Sequence, residues 1–233
     1  MRKLNNFIRD AVYSLELLYL RNDFFYTLAD FFLKQEVYDS SASLCIDGFP
    51  RSANSFAVNL IKNAYSSLNI IHHAHAPAVI KKALKDNIPT FVLVRKPIDA
   101  IASEYIRAQY REKRTYHVPN LIKRYYQYYQ VANENIGDLY VIRFETVTDS
   151  PEEYMRYVFE TINVSSEVNY SDIISTTKNA GASKITENNI YTISVPVQER
   201  NYYKEQIVRD LMPRYDFTRV NELYTKVFDQ ASV

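Results

Sequence analysis

The sequence predicts a three-layer α/β/α protein, with helices on both faces of a central, mostly parallel sheet and an N-terminal helical segment added to it. Three observations lead there. The run Leu44-Cys-Ile-Asp-Gly48 is apolar, stops at a glycine and gives way to a helical pattern a few residues later. The run Pro89-Thr-Phe-Val-Leu-Val-Arg95 is apolar without alternation, as a strand buried on both faces of a parallel sheet must be. Beyond these, strands and helices alternate along the chain, the order that right-handed crossovers connect.

At 233 residues the chain fits one domain, residues 1–233, of which residues 1–40 form the helical segment. With 28 basic against 27 acidic side chains the net charge is +1, so no global field draws nucleic acid or an acidic membrane surface. An anion must be captured locally. The single Cys45 excludes an internal disulfide framework, and in an apolar strand it reads as a small buried residue, which fits a reducing compartment. No stretch of 18 apolar residues suggests a membrane span, and the N-terminus has no signal-like apolar core, so a soluble cytoplasmic protein is expected. Among 21 tyrosines there is no tryptophan, and only three glycines are present.

In chain order, Leu4, Phe7, Ile8, Ala11, Val12, Leu15, Leu18 and Tyr19 have the three-four spacing of an amphipathic helix, which Asn22-Asp23 would break. Leu44–Gly48 is the first strand, and the helix after it runs through Phe56 to Tyr65. Asn69 to His75 reads as a short strand and Ala78 to Lys85 as a helix, with Pro89 to Arg95 the next strand. Pro97 and Asp99 suit the opening turn of a helix. The tyrosine-rich segment Asn120 to Ile136 has helical length, with Gly137 placed as a C-cap, and its rings either pack between helix and sheet with hydroxyls reaching water or line an acceptor pocket. Leu139 to Glu145 makes another strand. Ser150-Pro-Glu-Glu153 reads as a capping box opening a helix from Glu152 to Ile162. Periodicity is lost from Asn163 to Val197, and Glu199 to Leu211 and Phe217 to Phe228 close the chain as two amphipathic helices.

The first strand–loop–helix junction leaves backbone N–H groups without internal partners and aims a helix dipole at the same spot, making an anion site. Against the nucleotide P-loop G-x-x-x-x-G-K-[ST], the chain reads Gly48-x-x-x-x-Ala53-Asn54-Ser55, and the lysine is gone. Arg51 stands inside the loop instead. The run Pro50-Arg51-Ser52-Ala53-Asn54-Ser55-Phe56 resembles the 5′-phosphosulfate loop, P-[KR]-S-G-[TSN]-[TS]-[WF], of sulfotransferases that use 3′-phosphoadenosine-5′-phosphosulfate (PAPS). Ala53 takes the place of the usual glycine, which bears on how closely the backbone approaches an anion. Val94-Arg-Lys-Pro-Ile-Asp-Ala-Ile-Ala-Ser103 is similar to the second signature of that family, R-[NDEK]-P-x-D-x-x-x-S. The resemblance covers roughly residues 44–230 and implies that Arg95 and Ser103 bind the 3′-phosphate of PAPS, as co-substrate. Lys178 and Gly181, in Thr177 to Lys184, echo the R-K-G element of cytosolic members poorly, and a mobile acceptor loop is an equal reading. Arg200 and Lys204 fit the family's C-terminal R-x-x-Y-K pattern.

Sulfuryl transfer needs charge neutralised along an in-line path and a base for the acceptor proton. Loop N–H groups and Ser55 would hold the phosphosulfate and Arg51 the charge on its bridging oxygen. Three of four histidines, His72, His73 and His75, end the second strand, where alternation would put His73 and His75 on one face and His72 on the other. His75-Ala76-Pro77 matches the end of the family's K-T-H-x-P motif, which implies His75 as base and His73 as its neighbour or substitute. A zinc site and a structural histidine cluster are the alternatives at these positions. No metal is expected. The implied function is transfer of a sulfuryl group to a hydroxyl or amine of a glycan or small-molecule acceptor, with no nucleic-acid partner and a homodimer left open. A P-loop kinase for small molecules and a non-catalytic nucleotide-binding protein are the rival readings.

Overall fold

The computed structural model describes residues 38–111, 117–165, 167–186, 189, 191 and 198–233. The helical segment expected over residues 1–40 lies outside them except for 38–40, which are not helical. Four strands form one parallel sheet: β1 (Leu44–Gly48), β2 (Ile70–His72), β3 (Thr90–Val94) and β4 (Tyr140–Arg143), in the order β2-β1-β3-β4. Its register pairs Cys45 with Ile71 and Thr90, and Val92 with Val141. Between β1 and β3 the strand order reverses direction, so their carboxyl ends open onto the crevice where such sheets hold ligands.

Nine helices are seen among the described residues: α1 (Asn54–Ala64), α2 (Pro77–Lys85), α3 (Pro97–Arg111), α4 (Val118–Glu134), α5 (Phe144–Asp149), α6 (Pro151–Thr161), α7 (Tyr170–Ala182), α8 (Gln198–Asp210) and α9 (Thr218–Phe228). The side-chain alternation of β3 divides the core between two faces. Val92 and Val94 join Tyr125, Tyr128, Tyr129, Val220 and Leu223 under α4 and α9. Phe91 and Leu93 join Leu60, Ile61, Tyr154 and Phe159 under α1 and α6. A smaller cluster of Cys45, Ile71, Val79 and Ala83 seats α2. Ser232 and Val233 bond to Val141 and Arg143, at 2.9 and 3.0 Å, and cover the β4 edge that would otherwise expose unpaired backbone.

Six expectations are corrected. The segment after Asn163 is not loop throughout: Tyr170–Ala182 is α7, opened by Asn169, whose side chain accepts from the Asp172 amide. Gly137 is not a helix cap, because α4 ends at Glu134 with Asn135 as C-cap and no described glycine has positive φ. Ser150 and Pro151 do open α6, but the serine side chain makes no capping bond, so the box is not formed. β2 stops at His72 rather than His75, and β4 yields to α5 at Phe144. The hydroxyls of Tyr125, Tyr128 and Tyr129 on α4 do not reach water; they bond inward, as described below, while Tyr126 is half-buried and accepts from Arg219 at 3.4 Å. No described helix is long and apolar enough to cross a membrane.

Candidate functional site

The site begins where β1 runs out. Gly48 is needed there, since a Cβ would lie 2.7 Å from the Leu93 carbonyl oxygen on the neighbouring strand. The chain then turns through Arg51 and Ala53, with φ of 72° and 67°, a left-handed conformation that costs L residues about 1–2 kcal/mol each. Asn54 braces the turn by donating to the Phe49 carbonyl at 3.1 Å. Ala53 is the N-cap of α1 and supplies no side-chain cap. The Asn54 and Ser55 amides that open the helix therefore have no intrahelical acceptor, while those of Phe56 and Ala57 bond the Ala53 carbonyl. Ser52 is fully buried and its Oγ has no hydrogen-bond partner. An uncapped helix start beside an orphaned hydroxyl is suited to an anionic group.

The second signature meets the first. Arg95, one residue past β3, donates from Nη1 to the Arg51 carbonyl at 2.6 Å. Its guanidinium lies 4.1 Å from the Phe144 ring centroid. Tyr125 fixes the Arg95 backbone by donating to its carbonyl at 2.6 Å, and Tyr129 does the same to Leu93 at 2.7 Å. Arg51 Nε donates to Ser103 Oγ at 3.1 Å. The two signature segments are thus in direct contact at the carboxyl ends of β1 and β3. Burial lowers the Arg51 pKa to about 9, with Arg200, Arg107 and Arg95 adding repulsion and Glu104 opposing it. Arg51 stays charged at neutral pH.

The histidines depart from strand geometry. Because β2 ends at His72, His73 and His75 lie in a loop with φ of 59° and 49°. All three rings consequently cluster instead of alternating: Nδ1 of His72 lies 2.5 Å from Nδ1 of His73, and the His73 and His75 centroids are 5.8 Å apart. His73 Nε2 contacts Ser55 Oγ at 2.9 Å and His72 Nε2 contacts Lys62 at 3.1 Å. His75 Nδ1 donates to the Gly48 carbonyl at 2.7 Å. A neutral ring then carries its proton on Nδ1, which leaves Nε2 as the acceptor nitrogen. Burial pushes His75 down to about 4; Arg124 and Arg107 add to this, while the Gly48 carbonyl and Glu104 oppose it. Burial also moves His72 to about 4 and lowers His73. Among the described residues no group of three or more His, Cys, Asp and Glu could hold a metal ion.

Three residues of the site were given no role by the sequence. Asp47, in the middle of an apolar strand, is fully buried beneath His75, and Tyr128 donates to its Oδ2 at 3.2 Å. Glu104, fully buried on α3, takes a double hydrogen bond from Arg107 at 2.7 and 2.6 Å. Arg200 on α8 is 9% exposed, and Arg95 lies close enough to add to the lowering of its pKa by burial. Only the R-x-x-Y-K pattern pointed to Arg200, and it named no role. The segment Thr177 to Lys184 is not part of this cluster: Thr177 accepts from Asn63 near the far end of α1, while Lys178, Ser183 and Lys184 are exposed.

Neither a protein-family profile nor a curated protein matches the chain. Among solved structures, the crystal structure of mouse sulfotransferase SULT7A1 complexed with PAP is similar, with a TM-score of 0.53 and 10% sequence identity over 80% of this chain and 90% of that one. The chain has the sulfotransferase fold. At that identity the likeness rests on backbone course, since nine positions in ten differ. In this sulfotransferase fold the uncapped start of α1, the Arg51–Ser103 contact and the histidine loop all lie at the carboxyl ends of β1, β2 and β3.

Proposed function

We propose that the protein transfers a sulfuryl group from PAPS to a hydroxyl or amine of a small-molecule or glycan acceptor. The observation that carries this reading is the joining of the two signatures: Arg95 bonds the Arg51 carbonyl, Arg51 bonds Ser103, and both flank the uncapped N-terminus of α1. A nucleotide with phosphates at two positions needs such a double anion site. The fold likeness to a sulfotransferase complexed with PAP supports the same ligand class.

The donor supplies the activated sulfuryl group. The amides of the loop, with the buried Ser52 hydroxyl, hold its 5′-phosphosulfate, and Ser55 closes the same end. Arg51 neutralises charge that grows on the bridging oxygen as its bond to sulfur breaks. Arg95 and Ser103 hold the 3′-phosphate, the arginine as a planar fork with several N–H donors. His75 Nε2 takes the proton that the acceptor hydroxyl loses as its oxygen bonds to sulfur. His75 is favoured over His73 because both ring nitrogens of His73 are occupied by His72 and Ser55.

Titration calorimetry with adenosine 3′,5′-bisphosphate and with ATP-Mg is the first test, and tight binding of the bisphosphate alone is expected. A panel of sugar and phenol acceptors with labelled PAPS then reads the transfer. No bisphosphate affinity, or a preference for ATP-Mg, would overturn the proposal.

A further inference from the structure

Asp47 is a buried acid that the steps above do not use. It lies on β1, one residue before the strand-ending glycine, with no exposed surface. Tyr128 of α4 holds its Oδ2. Its Oδ1 is buried, has no hydrogen bond, and sits 3.4 Å from Nδ1 of His75. An orphaned carboxylate oxygen is costly in such a place unless a charge develops beside it. The His75 side chain is 21% exposed, whereas that of Asp47 is fully covered.

We propose that Asp47 is a positioning residue for His75: its Oδ1 faces the Nδ1–H that the Gly48 carbonyl already orients, and it supplies the negative charge that stabilises the imidazolium formed when Nε2 takes the acceptor's proton. This rests on the reading of His75 as the base. The division of labour is clear from the geometry. The carbonyl fixes the tautomer and the carboxylate balances the charge. The proton moves from the acceptor hydroxyl to Nε2, Nδ1–H stays bonded, and Asp47 itself gains and loses nothing.

Other groups face this pair and set its ionisation. Arg124 on α4, with Glu104 and Arg107 on α3, act on His75, while Tyr128 on α4, His73 in the loop and Cys45 on β1 lie about Asp47. Burial raises the Asp47 pKa to about 7, opposed by the His75 and Gly48 backbone and by the Tyr128 hydroxyl. The carboxylate is therefore present above neutrality and lost below it. Removing the Tyr128 donor raises the Asp47 pKa further, so Tyr128→Phe and Asp47→Asn must move the pH profile in different ways.

The test compares wild type, Asp47→Asn and Tyr128→Phe in sulfuryl transfer, in bisphosphate binding and in the ring-nitrogen shifts of His75 by NMR. In Asp47→Asn, kcat falls at least tenfold while the KM for PAPS and the bisphosphate affinity stay within twofold, and the acid limb near neutrality disappears. In Tyr128→Phe that limb moves to higher pH. In the resting protein, His75 shifts carry an inflection near neutrality that Asp47→Asn abolishes and Tyr128→Phe moves upward. Unchanged kcat in Asp47→Asn, or a His75 inflection that survives it, overturns the proposal. If His75→Ala retains full transfer, the base reading fails instead, and the NMR inflection still decides whether the two side chains are paired.

Discussion

The Asp47–His75 pair also has a consequence for stability. Asp47 has its pKa raised from an ordinary 3.8 to about 7, so between those values the folded protein holds a proton that the unfolded chain has released. That contribution falls as pH rises. His75 is lowered from 6.5 to about 4, so the folded protein lacks a proton that the unfolded chain holds, and that contribution rises with pH. Between about pH 4 and 6.5 the two slopes cancel, because one proton is exchanged for another. Asp47→Asn removes the falling half. The variant's unfolding free energy should then rise with pH more steeply than that of wild type, by up to about 1.4 kcal/mol per pH unit. Urea unfolding at pH 4.5, 5.5 and 6.5 reads this directly, and equal slopes in both proteins would show that the two titrations are not opposed. Arg95 gives a second prediction. Losing its charge-assisted bonds should cost about 1.5–3 kcal/mol of bisphosphate binding, a tenfold to hundredfold drop in affinity for Arg95→Ala by calorimetry.

The elements carry the strain that the residues exploit. Four of the six described non-glycine residues with positive φ, Arg51, Ala53, His73 and His75, lie in the two loops of the site. Such concentration of unfavourable backbone is characteristic of functional loops. Ala53 is the position where a glycine relieves it: Ala53→Gly should stabilise the protein by up to about 1 kcal/mol, read as a higher Tm, with transfer retained. A lower Tm would mean that the methyl packing outweighs the strain. The same loops explain what the sequence disclosed. β1, β3 and the helices after them were legible because an apolar run ending in glycine, and one ending in Arg95-Lys-Pro, have few other solutions. The arrangement of the histidines was legible only in part: a cluster stood among the alternatives, but placing them on two faces assumed a strand, and β2 is only three residues long. α7 was missed because its buried face is sparse, with Tyr170 and Thr177 its only buried positions. Asp47 and Glu104 read as an ordinary strand residue and an ordinary helix residue, because composition does not mark which acids are buried.

Across the whole molecule, charge is nearly balanced, yet four arginines gather at the site. Arg51 and Arg95 come from the β1 and β3 ends, Arg107, paired with Glu104, from α3 and Arg200 from α8, four segments brought together by the fold. Like charges so placed repel, and an anion bound among them should tie the segments together. α8 is lightly held otherwise: Arg200 is its one buried residue, Ile207 and Val208 pack against the core only partly buried, and the Lys204–Asp99 pair at 2.9 Å, 22% and 32% exposed, is a modest link to α3. Its amides should therefore exchange early in the free protein, through local opening that costs less than global unfolding. Saturating adenosine 3′,5′-bisphosphate should slow exchange across residues 198–210 by tenfold or more, because binding favours the closed form by RT ln(1 + [L]/Kd). Arg200→Ala should abolish most of that protection while the β1 loop remains protected, since Arg95, Ser103 and the α1 amides still hold the ligand. Hydrogen exchange followed by mass spectrometry separates the two regions. Protection confined to the β1 loop in wild type would show that α8 does not close on the nucleotide, and protection of α8 that persists in Arg200→Ala would assign the closure to packing rather than to this guanidinium.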